Sequence, residues 1–246
     1  MLYSSLISDH DYAFKLRILI SGFLRICMKY SKNIIQNELI DTTNEEFINI
    51  LILIHSKYEP KEQSIQQQIK SFSGSLKPIY KHYKLDNFDS YLDFGCGSGI
   101  ITMATKEIIH SIVTHGIDIT NNLKVELPLF ELDNIVEKYD FITINHVLHH
   151  VADLSILSKL VSLLNNNGYI LLKEHDCNND EIKTLMILQH EFYSIDKFEN
   201  MPVIHFKNKE YWIELFESHG LVNQGIYINN YNDATNSFYV LFKRIK

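Results

Sequence analysis

Apolar positions change their rhythm near residue 90. Ahead of it, Leu16, Leu19, Ile20, Phe23 and Cys27 recur at three- and four-residue steps, the spacing of one helix face, and predict a helix ending near Tyr30. Thr43-Asn44-Glu45-Glu46 is a capping-box pattern in front of Phe47, Ile50, Leu51 and Ile54, so a second helix is expected there. Both apolar stripes are expected to pack against the rest of the protein. Between Ser56 and Leu85 the chain turns polar and basic, with Lys57, Lys61, Lys70, Lys77, Lys81 and Lys84 against Glu59 and Glu62, which reads as a solvated helical face or a substrate-facing lip. Residues 1–85 are therefore expected to form a helical N-terminal region, a cap or substrate-binding extension, ahead of a second unit at 86–246.

From Ser90 onward short apolar runs alternate with helical patterns. Ser90 to Phe94, Ile112 to Ile119, Phe141 to Val147 and Tyr169 to Leu172 read as buried strands. Ile100 to Ile109, Leu154 to Leu164, Asp180 to Tyr193 and Lys209 to Ser218 read as helices, the last capped by Asn208 and stopped by Gly220. The end differs in kind: Leu221 to Asn230 and Phe238 to Arg244 are two strand-like runs with no helix between them, hence an antiparallel hairpin. An α/β domain with a mostly parallel sheet finished by an antiparallel pair is the architecture this order implies.

Composition adds limits. At 246 residues, 46% hydrophobic and 22% charged, the chain has the make-up of a packed globular protein. Cys27, Cys96 and Cys177 lie far apart and form no CxxC pair, which argues against a disulfide framework and a zinc site. Lys15, Arg17 and Arg25 interrupt the most apolar early stretch, so no signal peptide or membrane anchor is expected and the location is read as cytoplasmic. Residues 1–88 carry 11 basic and 9 acidic groups and the remainder 12 and 21, within a net charge of −7. An acidic second unit repels polyanions at long range, so nucleic-acid contact would need a local basic patch.

Asp93-Phe94-Gly95-Cys96-Gly97-Ser98-Gly99 stands where a strand hands over to a helix, the place where glycines let the backbone approach a ligand closely. The run is GxGxG rather than the GxGxxG usual for dinucleotides. Asp93 directly before it would meet a pyrophosphate unfavourably and suit a cofactor bearing an ammonium and a sulfonium. About twenty residues on, Asp118 ends the second strand, placed to accept both hydroxyls of a ribose, with Ile119 beside it to cover an adenine face.

Taken in order, YLDFGCGSG, GIDI, YDFITINHVLHHVADL, NNGYILLKEHD and FYVLFKR resemble the class I S-adenosylmethionine-dependent methyltransferases from about Ser90 to Lys243. The resemblance implies a Rossmann-like seven-stranded sheet, mostly parallel, with a C-terminal antiparallel hairpin, and S-adenosyl-L-methionine as cofactor. It implies that Asp93, Phe94, Gly95, Cys96 and Gly97 line the methionine and ribose end, that Asp118 and Ile119 hold the ribose and adenine with Asp133 as a further adenine contact, and that Asn145 or His146 flanks the sulfonium. Two departures stand out: the stretch from Asp118 to Asp140 is short, which reduces the usual second helix, and Asn167 replaces the first of two glycines.

On the acceptor side, two polar clusters follow strands: His146, His149 and His150, then Lys173, Glu174, His175 and Asp176. Lys173, Glu174 and His175 are the candidates for catalysis, with imidazole the better match in pKa for a base. His149, Asp176 and Lys77 are the candidates for touching the acceptor. No metal is expected, because the histidine and carboxylate spacing matches no zinc pattern. The acceptor is open between a small molecule and RNA: Lys77 and Lys173 are similar to two members of the Lys-Asp-Lys-Glu tetrad of ribose 2′-O-methyltransferases, whereas Asn145, Ser237 and Phe238 stand where its carboxylates would be. A methyltransferase-like scaffold without chemistry and a dinucleotide-dependent oxidoreductase are the competing readings. The intact glycine and aspartate motifs count against the first, and the GxGxG spacing against the second.

Overall fold

Near-continuous apolar runs bury a strand on both faces, and the central strands here show that pattern. A computed structural model describes residues 63–180, 182, 183, 186, 190, 205–228 and 237–245. The two helices expected before residue 60 lie outside the described residues. The chain order is α1 (Ile65–Tyr83), β1 (Ser90–Phe94), α2 (Ile100–Ile109), β2 (Val113–Ile117), β3 (Tyr139–Asn145), α3 (Ile156–Ser162), β4 (Leu164–His175), α4 (Lys209–Ser218), β5 (Leu221–Ile228) and β6 (Ser237–Arg244). The sheet runs β2-β1-β3-β4-β6-β5. Its first four strands are parallel, and β6 is antiparallel to both β4 and β5.

Side-chain alternation sorts the core into two layers. Leu92, Ile142, Ile170, Leu172, Val240 and Phe242 face α3 and α4, where Leu157, Leu160, Trp212 and Phe216 complete one cluster. Tyr91, Phe141, Leu171, Tyr239 and Leu241 face α1 and α2, where Leu76, Ile79, Tyr80, Ile100, Ala104 and Ile109 complete the other. The result is a three-layer α/β sandwich, as the sequence pattern implies.

Helix α1 begins with the reciprocal cap between Ser64 and Gln67. Tyr83 at its C-terminal end donates to the carbonyls of Gly225 and Tyr239, both at 3.0 Å, tying it to the hairpin. Lys70, Lys77, Lys81 and Lys84 are all exposed. Asn208 caps α4 by accepting from Tyr211 N, and Gly220 follows the helix at φ +80°. Of the helix expected at 180–193, Asp180, Ile182, Lys183, Met186 and His190 have helical backbone.

The strand count departs from expectation, with six strands among the described residues rather than seven. Residues 118–138 hold one 3-10 turn, Leu132–Asn134, and contribute to the sheet a single parallel bridge between Gly116 and Leu129. A further parallel strand here would need two crossovers of about a dozen or more residues each, one into it and one out to β3, which this segment is too short to supply. Strand β2 stops at Ile117, short of the expected Ile119, which is 95% exposed.

Candidate functional site

The carboxyl ends of β1 to β4 and the start of β6 meet at one edge of the sheet. At its β1–β2 half, Gly95 N and Cys96 N donate to Ile117 O at 2.8 and 3.1 Å, binding the glycine loop to the end of β2. Gly95 has φ +77°, and a β-carbon there would stand 2.2 Å from Val147 Cγ2, so the turn after β3 fits only against a bare backbone. Gly97, at φ +52°, has nothing within 4 Å of where a β-carbon would lie. A ligand can therefore reach its backbone from that side.

Asp118 joins the two motifs. Its Oδ2 accepts from Gly97 N at 2.7 Å, and its Oδ1 accepts from Thr120 N and Thr120 Oγ1, both at 2.9 Å. Beside it Ile119 leaves its side chain uncovered. Phe94 and Cys96 are buried, so only their backbones face the loop's outer side. Burial pushes the Cys96 thiol up to about 12, with Asp93 and Asp118 adding to the effect, and it stays protonated. Asp133 is exposed on the 3-10 turn.

Asp93 is 2% exposed, and both of its oxygens are engaged: Thr102 Oγ1 donates at 2.6 Å and Thr143 Oγ1 at 2.7 Å. Thr143 in turn accepts from the Tyr91 hydroxyl at 2.7 Å. Burial lifts the Asp93 carboxyl to about 6 against the opposing pull of its hydroxyl donors and of Asn145. This carboxylate fastens β1 to α2 and β3 from within. Neither Thr102 nor Thr143 stands out in the sequence, since a buried threonine on a strand or helix is ordinary.

The other half of the edge is built around histidine. His146 takes φ +54° at the end of β3, its backbone N donating to Lys173 O at 2.9 Å, and its Nε2 lies 3.2 Å from Ser237 Oγ. Its Nδ1 is buried with no hydrogen-bond partner. A 3-10 turn, Leu148–His150, then carries His149 inward to 1% exposure. Glu174, fully buried, accepts from Leu148 N at 2.9 Å and from His175 N at 3.2 Å, and meets His149 Nδ1 at 2.7 Å. His149 Nε2 faces His190 Nε2 at 3.0 Å, and His190 Nδ1 lies 2.8 Å from Met186 O. Phe206 stacks on His149 with ring centres 5.6 Å apart, and His175 lies 4.3 Å from His146, ring to ring. Burial lowers His149 to about 3 and His190 to about 4, and drives His146 well below its ordinary range, so these three rings are neutral at pH 7. Burial likewise raises Glu174.

The Lys173 to Asp176 run does not face one way. Lys173 Nζ sits over the Tyr239 ring, 5.4 Å from its centre, while Glu174 supports the turn after β3. Asp176 accepts from Lys209 N at 3.0 Å and Lys209 Nζ at 3.3 Å at the start of α4. Successive residues of a strand point to opposite faces, so four in a row divide among several neighbours. Lys77 is exposed on α1. His190 and Phe206 join the cluster without any mark in the sequence, being far along the chain from His149. Among the described residues, no helix is long and apolar enough to cross a membrane.

Comparison with known proteins agrees with this fold. No curated protein sequence matches the chain. Among solved structures, an S-adenosylmethionine-dependent methyltransferase from Archaeoglobus fulgidus is 14% identical with a TM-score of 0.51, over 70% of this chain and 94% of that one. The N-methyltransferase NodS of Bradyrhizobium japonicum, bound to S-adenosyl-L-homocysteine, is 12% identical with the same score, over 76% and 90%. The pyocyanin biosynthetic protein PhzM is 14% identical, again at 0.51, over 69% of this chain and 54% of its own length. These likenesses are of fold. A family described as methyltransferase domain matches residues 62–224, about two thirds of the sequence, and the chain belongs to that family.

Proposed function

We propose that the protein transfers a methyl group from S-adenosylmethionine to an acceptor held at the β3–β4 half of the sheet edge. The observation that carries this reading is the Asp118 carboxylate bonded to Gly97 N beside a backbone surface with open space above it. The residues fit the cofactor: Gly95 to Gly97 offer backbone to its methionine and ribose end, Asp118 Oδ2 keeps one lone pair for a ribose hydroxyl, a second hydroxyl bond requiring Thr120 to give way, and the bare Ile119 side chain suits an adenine face. The bound cofactor would supply a methyl group made electrophilic by an adjacent sulfonium.

The chain's own groups do the rest. Asp93 acts by orienting Thr102, Thr143 and Asn145, which sets the end of β3 and hence His146. His146 and His175, neighbouring imidazoles, flank the place where the acceptor would lie. His175 is the candidate to take a proton from an acceptor that carries one, and positioning supplies much of the remaining acceleration. Glu174 holds the turn that shapes this half rather than meeting the acceptor itself. Within residues 1–85, α1 packs into the domain's core through Leu76, Ile79 and Tyr80.

Thermal-shift titration tests the cofactor. A ligand that binds only the native state adds about 2.7 kcal/mol at 100 times its Kd, so S-adenosylmethionine and S-adenosylhomocysteine should shift the transition and NAD should not. Asp118→Ala should fold and lose affinity, each charge-assisted bond to ribose being worth roughly 1.5–3 kcal/mol. A shift with NAD alone would overturn the reading.

A further inference from the structure

We propose that His149, His150 and His190 form a binding site for a divalent transition-metal ion of the zinc kind, beside the place assigned to the acceptor. The argument begins with the protons on two rings. His149 Nδ1 faces a carboxylate oxygen of Glu174 at 2.7 Å, and His190 Nδ1 faces the carbonyl oxygen of Met186 at 2.8 Å. Glu174 already receives Leu148 N and His175 N, and an ionised carboxylate, like a carbonyl, can only accept, so with Glu174 ionised both Nδ1 atoms carry the hydrogen. Each ring then turns an Nε2 lone pair outward, and the two Nε2 atoms stand 3.0 Å apart. Two lone pairs at that distance repel unless a proton or a metal ion lies between or beside them.

A metal ion fits this arrangement in three respects. Donors on one tetrahedral zinc ion, each at about 2.0–2.1 Å, stand about 3.3 Å from one another, close to the separation found. One nitrogen from each of His149, His150 and His190 falls within a group whose members all lie within 4.8 Å, giving three ligands and leaving a fourth position. The Nδ1 bonds to a buried carboxylate and to a backbone carbonyl are the supports that fix the tautomer of a metal-bound imidazole. Imidazole ligands of this number favour Zn²⁺, Co²⁺ or Ni²⁺ over Mg²⁺ or Ca²⁺, which prefer oxygen. His146 and His175 form a second group with His149, also within 4.8 Å. The first set is the better site because two of its rings, His149 and His190, are each held through Nδ1, by Glu174 and by Met186 O.

The role of the ion rests on the methyltransferase reading. At the fourth position it would hold an acceptor oxygen or sulfur as its anion, the acceptor's proton passing to His175 and on to solvent, and so present a lone pair for methylation. A hydroxyl or thiol acceptor of modest size is the substrate class that this chemistry serves.

Full-length protein without a polyhistidine tag, stripped with chelator, tests the site directly. Zn²⁺ should bind at one ion per chain by calorimetry, and Co²⁺ should give the intense visible absorption of a tetrahedral centre that Zn²⁺ displaces. His190→Ala should weaken Zn²⁺ binding by at least 100-fold, Glu174→Gln by roughly 10–100-fold, and His82→Ala, on the exposed side of α1, should leave it unchanged. The proposal is overturned if the unaltered protein binds no stoichiometric Zn²⁺, or if binding survives in His190→Ala. Should Glu174→Gln fail to fold, the His190 variant still decides. S-adenosylhomocysteine binding by His190→Ala is read in parallel: its retention without zinc confirms separate sites, and absence of cofactor binding from every form would sink the methyltransferase reading while leaving the metal result intact.

Discussion

The two halves of the sheet edge are built in opposite ways. The half proposed for the cofactor comes from one β-α-β unit, Asp93 to Asp118, and its parts meet through the backbone: glycine φ angles, two N–H bonds to Ile117 O and one to Asp118. The half proposed for the acceptor draws on the turn after β3, the end of β4, His190, Phe206 and the first residue of β6, and its parts meet through buried side chains. A site made by local backbone demands permits few residue types at each position. A site assembled from distant side chains leaves each contributor looking ordinary in its own stretch of sequence.

The largest expected effect strikes the acceptor half. Glu174→Ala strands Leu148 N, His175 N and the His149 ring in the interior. Each buried donor left unmade costs about 1–3 kcal/mol, so urea denaturation should show a loss of roughly 3–5 kcal/mol. Cofactor affinity in the folded fraction should change little. An equal loss of S-adenosylhomocysteine binding would mean that the two halves are one cooperative unit.

Next comes the glycine loop. Gly95→Ala places a β-carbon 2.2 Å from Val147 at a positive φ, whereas Gly97→Ala meets nothing within 4 Å. The left-handed backbone costs about 1–2 kcal/mol in either variant, and overpacking adds about 1–3 kcal/mol in the first alone. Denaturation midpoints should therefore rank Gly95→Ala well below Gly97→Ala. The second should instead lose cofactor affinity, since its methyl group fills the open side. Equal stability of the two would remove the close approach of the loop to the turn after β3.

The smallest effect is a pH dependence at the joint between the halves. The Asp93 carboxyl titrates near 6 in the folded protein and near the ordinary carboxylate value of about 3.9 when unfolded. Between those values the folded state holds a proton that the unfolded state has lost, so this group's contribution is full below about pH 4 and is lost as pH rises through 6. Asp93→Asn removes that dependence. Stability of the unaltered protein relative to the variant should fall by on the order of 2 kcal/mol from pH 4 to pH 7, with all other groups cancelling in the difference. A difference flat with pH would mean that Asp93 is ionised throughout, held by Thr102 and Thr143.

Much of the architecture was legible because it follows from period and punctuation. The terminal hairpin, the Asn208 cap and the stop at Gly220 all stand where the residues place them. The seventh strand was expected from family resemblance and is not among the described residues, since the chain between Ile117 and Tyr139 contributes one bridge instead of a strand. The Lys173 to Asp176 run looked like a single cluster because adjacency in sequence reads as proximity. In an extended strand it means the reverse, and Lys173, Glu174 and Asp176 have different neighbours.

By itself the sequence determined the α/β order of elements, the glycine loop and the acidic tip of β2, since these depend on interactions within a few residues and on backbone conformations that few side chains allow. Only the tertiary structure decided that Asp93 is an interior fastening, that His149 rests on Glu174, and that His190 comes within 3.0 Å of it. The physical reason is that burial and side-chain pairing are set by which distant segments pack together, and single residues carry no mark of partners that folding alone brings near.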